Sequence, residues 1–68
     1  MEKAYEDFLR DVLITINLNL RELRDRKNFA EQEELSHIEA KLLAYREVLE
    51  IIRDAATEFG IPKEEFGL

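Results

Sequence analysis

An all-α antiparallel two-helix hairpin is the fold class this sequence predicts, and three observations carry it. Leu35, Ile38, Leu42, Tyr45, Leu49, Ile52, Ala56 and Phe59 follow alternating steps of three and four, the spacing of one seam on an α-helix and of no strand. A second apolar set, Tyr5, Phe8, Leu9, Val12, Leu13, Ile16, Leu20 and Leu23, gathers on one broad side of a helix at about 100° per residue. Glycine occurs only at 60 and 67 and proline only at 62, so no earlier residue breaks either helix through its backbone.

The first helix is expected over about residues 2–27. Val12, Ile14, Thr15 and Ile16 are β-branched, yet strict alternation covers only Ile14 to Leu20 while the helical face extends on both sides of it. Glu2, Glu6 and Asp7 near its start and Arg21, Arg24, Arg26 and Lys27 near its end complement the helix dipole. The second helix is expected over about residues 31–59, with two candidate starts. Asn28 with Glu31 is one possible capping box and Ser36 with Glu39 the other, where Leu35 would staple against Ala40. The end is marked more clearly: Gly60 can adopt the left-handed closing conformation, Ile61 can fold back near Ala55 and Ala56, and Pro62 forbids continuation. One further turn is expected over about residues 62–66, leaving Phe66 and Leu68 either to cover an open end of the core or to fray. No internal repeat is expected.

Composition bounds what such a hairpin can do. At 68 residues it is a single domain, 1–68, that buries little apolar surface, so it needs a staple. Cysteine is absent, which excludes disulfides and thiolate metal sites and leaves regular helix packing or self-association. With 46% apolar and 38% charged residues the chain has the mixture of amphipathic helices rather than of disorder. A net charge of −6 argues against nucleic acid and anionic lipid, both of which need a basic surface. The apolar run from Val12 to Ile16 is too short for a membrane span or a cleavable signal, so no membrane partner is expected and the cytoplasm is the default compartment.

The segment Leu43 to Ile61, LAYREVLEIIRDAATEFGI, resembles the C-terminal helix of small acidic proteins of unknown function carried by bacterial mobile elements and phages. That resemblance implies no catalytic residue.

Candidate chemistry is sparse. Glu34 and His37 form an E-x-x-H pair, the unit from which di-iron carboxylate bundles are built, and a dimer of hairpins would supply it twice. Such a site also needs an inward carboxylate on the first helix, whose buried face is wholly apolar. His37 is the only histidine and has no partner suggesting general acid–base work, and with Ser36 and two threonines as the only hydroxyl nucleophiles no triad presents itself. No catalytic residue, metal or cofactor is therefore expected. Tyr5 and Tyr45 read as core aromatics. Arg21, Arg24, Arg26 and Lys27 point to several sides and are diluted by Glu22 and Asp25, which suits solvated helix-end charges better than a nucleic-acid surface.

The informative feature is surplus apolar surface. Ala44, Val48, Ile51 and Ala55 form a second stripe beside the main seam, at steps of four, three and four, and one hairpin partner can cover only one seam. Ile14 and Leu18 form a further pair facing away from the first helix's main face. The expectation is therefore a homodimer or higher oligomer, a four-helix bundle with Ala44, Val48, Ile51 and Ala55 at its interface and Ile14 and Leu18 open to a protein partner. The function expected is that of a noncatalytic adaptor, regulator or inhibitor; the alternatives are a dimeric metal-binding bundle using Glu34 and His37, and a nucleic-acid regulator.

Overall fold

In the computed structural model, which describes residues 2–68, helix α1 spans Lys3–Lys27 and helix α2 spans Gln32–Glu58, followed by one turn of 3₁₀ helix at Lys63–Phe66. The long helices pack against each other in antiparallel fashion, and two cross-helix contacts set their register. The Asn19 amide donates to the Tyr45 hydroxyl at 3.0 Å, and Lys27 Nζ lies 3.7 Å from a Glu39 carboxylate oxygen. Residue numbers facing each other across the hairpin thus sum to about 65.

Between the helices lie Leu13, Leu20 and Leu23 from α1 and Ile38, Leu42, Leu49 and Ala56 from α2, all buried. Leu9, Ile16, Tyr45, Ile52 and Ile61 pack partly buried around them. Each fully covered leucine contributes about 1.5–3 kcal/mol. The ion pairs Lys3–Asp7, Arg10–Glu6 and Lys27–Glu39 lie at 3.7–3.8 Å between exposed or half-buried groups open to solvent, and each adds at most about 1 kcal/mol.

Neither expected capping box starts α2. Asn28 has helical backbone angles (φ −70°, ψ −18°) and ends α1, its N–H donating to the Asp25 carbonyl at 3.2 Å. Ser36 lies inside α2, its hydroxyl directed back to the Gln32 carbonyl at 3.4 Å. The extended residue that an N-terminus requires is Glu31 (φ −77°, ψ 168°), whose carbonyl accepts from Leu35 N–H at 2.8 Å.

The far end of α2 closes as the glycine requires. Gly60 is left-handed (φ 68°), its N–H donates to the Thr57 carbonyl at 3.3 Å, and the Ile61 N–H reaches the Ala56 carbonyl at 2.8 Å. Seven residues later the same pair of bonds recurs around Gly67 (φ 71°), from Gly67 to Glu64 at 3.4 Å and from Leu68 to Lys63 at 3.0 Å. The sequence repeats with the geometry, Glu58-Phe59-Gly60-Ile61 and then Glu65-Phe66-Gly67-Leu68, which corrects the expectation of no internal repeat.

Phe66 does cover the core. It is buried beneath the Arg10 guanidinium, whose carbon lies 5.1 Å from the ring centroid. Lys63 Nζ donates to the Thr57 hydroxyl at 2.8 Å, and that hydroxyl donates to the Arg53 carbonyl at 3.0 Å, tying the 3₁₀ turn to α2.

Three aromatics expected on the buried seams are exposed: Tyr5, Phe8 and Phe59. A seven-residue repeat on a straight helix of 3.6 residues per turn drifts by about 20° per heptad. One row of the seam, Ile38, Tyr45, Ile52 and Phe59, therefore rotates out of the two-helix interface, while Leu42, Leu49 and Ala56 stay buried in it. Tyr45 and Ile52 are half-buried along this drift, and Phe59 ends at 79% exposure. On α1, Phe8 stands about 100° from the centre of the Leu9, Leu13, Ile16 and Leu20 stripe, too far round to be covered by one neighbour.

Candidate interaction surface

The hairpin has two sides of contrasting chemistry. On one, a groove of about 440 Å³ is walled by Asn17, Arg24, Arg46 and Arg53 over Leu20 and Leu49. Arg10, Arg53 and Thr57 lie on this flank by helical periodicity, so the 3₁₀ turn that touches Arg10 and Thr57 folds over this side too. The other side has no such cover. Its groove, about 460 Å³, is lined by Asn19, Leu23, Lys41, Ala44, Tyr45 and Val48, and a smaller apolar hollow of about 260 Å³ continues toward Ile51, Ala55 and Phe59.

The expected interface residues fall on this uncovered side. Val48 is 43% exposed and Ile51 67%, and Ala44 and Ala55 are exposed beside them. Ile14 and Leu18 are exposed on the back of α1, away from the α2 stripe. Glu34 and His37 are exposed in the first turns of α2, and among the described residues no three histidine, cysteine or acidic side chains converge as metal ligands would. Nor, among them, is a buried side-chain polar atom left without a hydrogen bond. No helix among them is long and apolar enough to cross a membrane.

Extending the stripe by one step at each end brings in two residues that its apolar reading overlooks. Lys41, Ala44, Val48, Ile51, Ala55 and Glu58 follow steps of three, four, three, four and three, and all are exposed. The pattern is symmetric about a point between Leu49 and Glu50: small faces small, large faces large, and a cation faces an anion. This symmetry is present in the sequence, but the apolar periodicity itself ends at the two alanines.

The monomer also has more surface than its mass predicts. Its accessible area is 5493 Å² where a compact monomer of 8.1 kDa exposes about 4,500 Å². Its radius of gyration is 14.3 Å against about 11 Å for a compact chain of this length.

The chain matches no family model, no curated protein and no solved structure, so its surface is read on its own chemistry.

Proposed function

We propose that this protein is a noncatalytic interaction module, a small cytoplasmic adaptor, regulator or inhibitor, that works as a helical homodimer. The observation that supports this reading is the symmetric Lys41–Glu58 stripe on the side of the hairpin left open by the 3₁₀ turn. A two-fold contact joins the same patch on both copies, so residue i meets j where j meets i. An antiparallel α2 pair centred between residues 49 and 50 sets Ala44 against Ala55 of the second copy, Val48 against Ile51, and Lys41 against Glu58. The alanines let the helix backbones approach, and the end charges favour the antiparallel direction over the parallel one, in which like charges would meet.

Covering the exposed parts of Val48 and Ile51 contributes about 1 to 2 kcal/mol per residue in each subunit. The resulting four-helix bundle leaves Ile14 and Leu18 exposed on the back of each α1, where a heterologous protein partner would dock.

Thermal unfolding across a hundredfold range of protein concentration tests the reading. Folding linked to association raises the melting temperature with concentration. Ile51→Glu, which sets an unpaired charge in the dry contact, should abolish that dependence. A melting temperature indifferent to both would refute the homodimer.

A further inference from the structure

We infer that the groove between α1 and α2 beside Val48 is completed by a second copy of the chain, whose Phe59 side chain fills it. This rests on the two-fold α2 pairing proposed above and adds to it an occupant for the groove.

Phe59 has the character of an unused plug. It is 79% exposed at the end of α2, where the Gly60 turn and the 2.8 Å bond from Ile61 to Ala56 hold the backbone in place. Its counterpart in the repeated tetrapeptide, Phe66, is buried in the core of its own chain. An aromatic ring of this kind buries about 150–250 Å² when it finds a pocket.

The groove has the matching character of an unfilled socket. Leu23, Ala44, Tyr45 and Val48 give it an apolar floor, the single methyl of Ala44 leaves room above it, and Glu22, Arg26 and Lys41 form a charged rim. The Tyr45 hydroxyl oxygen already accepts from the Asn19 amide, a bond that an entering ring need not break.

The two-fold brings plug and socket together. About the centre between residues 49 and 50, Phe59 of one copy falls opposite Ala40 of the other. A long side chain on a helix leans toward the helix N-terminus, covering the turn before its own Cα. In the antiparallel neighbour that lean carries the ring from Ala40 toward Ala44 and Tyr45, into the groove. The flank is right as well. Heptad drift has turned Phe59 to the part of the stripe nearest α1, and an antiparallel two-fold keeps that flank on the same side in both copies. The contact then occurs twice per dimer. A parallel pair would instead set Phe59 beside Phe59 and leave both grooves open.

The chain contains no tryptophan and no cysteine, so two clean probes exist. In Phe59→Trp, fluorescence emission should be shifted to the blue wherever light scattering reports a dimer, and should move to the red on dilution with the same midpoint as the mass. Phe59→Ala should raise the dimer dissociation constant at least tenfold. The double variant A44C/A55C should crosslink between chains on mild oxidation, and neither single variant should. Dimers of Phe59→Trp in which the introduced indole emits as in water, or a dissociation constant left unchanged by Phe59→Ala, overturn the assignment of Phe59 while leaving the homodimer standing. Crosslinking of Ala44→Cys alone shows a parallel pair and likewise overturns it. A monomer at every concentration overturns both, because the pairing itself is then wrong.

Discussion

Phe59 and Phe66 stand at the same position of two Glu-Phe-Gly-aliphatic tetrapeptides seven residues apart, yet one is 79% exposed and the other 6%. The two share their closing hydrogen bonds, so the difference comes from what lies beneath each ring. Phe66 joins the core cluster under Arg10, whereas heptad drift has turned Phe59 out of the seam. Phe66→Ala should therefore destabilise the fold by about 3 kcal/mol. At concentrations low enough to keep the protein monomeric, Phe59→Ala should cost less than about 0.5 kcal/mol. Urea unfolding of the two variants under those conditions measures both, and equal losses would contradict the division of roles.

Gly60 is the residue on which the end of α2 depends. A Cβ built there meets nothing within 4 Å, so space is no obstacle, but a side chain at φ 68° is strained. Gly60→Ala should cost about 1 to 2 kcal/mol, and Gly60→Asn less, since asparagine tolerates the left-handed region. A calorimetric ranking with alanine above asparagine would show that the turn is held by something other than its backbone angle.

The end charges of the α2 stripe can be exchanged. Lys41→Glu and Glu58→Lys each set like charges against each other across the proposed two-fold, and each should weaken association severalfold. Together they restore the pairing with reversed sign. Sedimentation at low salt reads the effect, and a double variant no stronger than either single one would remove Lys41 and Glu58 from the interface.

The hairpin itself was legible because its signals are local. The three-and-four spacing of Ile38, Leu42 and Leu49 needs only a helix and one partner, and Gly60 and Pro62 mark the end of α2 by backbone chemistry alone. What the pattern misjudged lies where a second geometric effect accumulates. Phe59 fits the heptad as a pattern and leaves the seam as a solid helix, Phe8 lies too far round α1 to be covered by a single neighbour, and Tyr5 lies opposite residue 60, past the end of α2. The apolar spacing put the start of α2 at about residue 31, whereas neither capping motif singled out Glu31, because a capping motif depends on a side-chain hydrogen bond and this terminus makes none. The candidate surface was visible as far as its apolar part; Lys41 and Glu58 become meaningful only once the stripe is read as symmetric.

Ile14 and Leu18 offer a separate surface. They are exposed on the back of α1, one turn apart, and take no part in the proposed α2 pairing. The double variant I14K/L18K should keep its helical content and its mass while losing capture of a protein partner from the native host. Undiminished capture would assign that contact elsewhere.

Self-association through the open side of α2 is the claim on which the rest depends. Light scattering coupled to size exclusion at micromolar concentration measures it directly: the account predicts about twice 8.1 kDa for the native chain and a single-chain mass for Ile51→Glu. A compact, well-folded monomer for both proteins would contradict it.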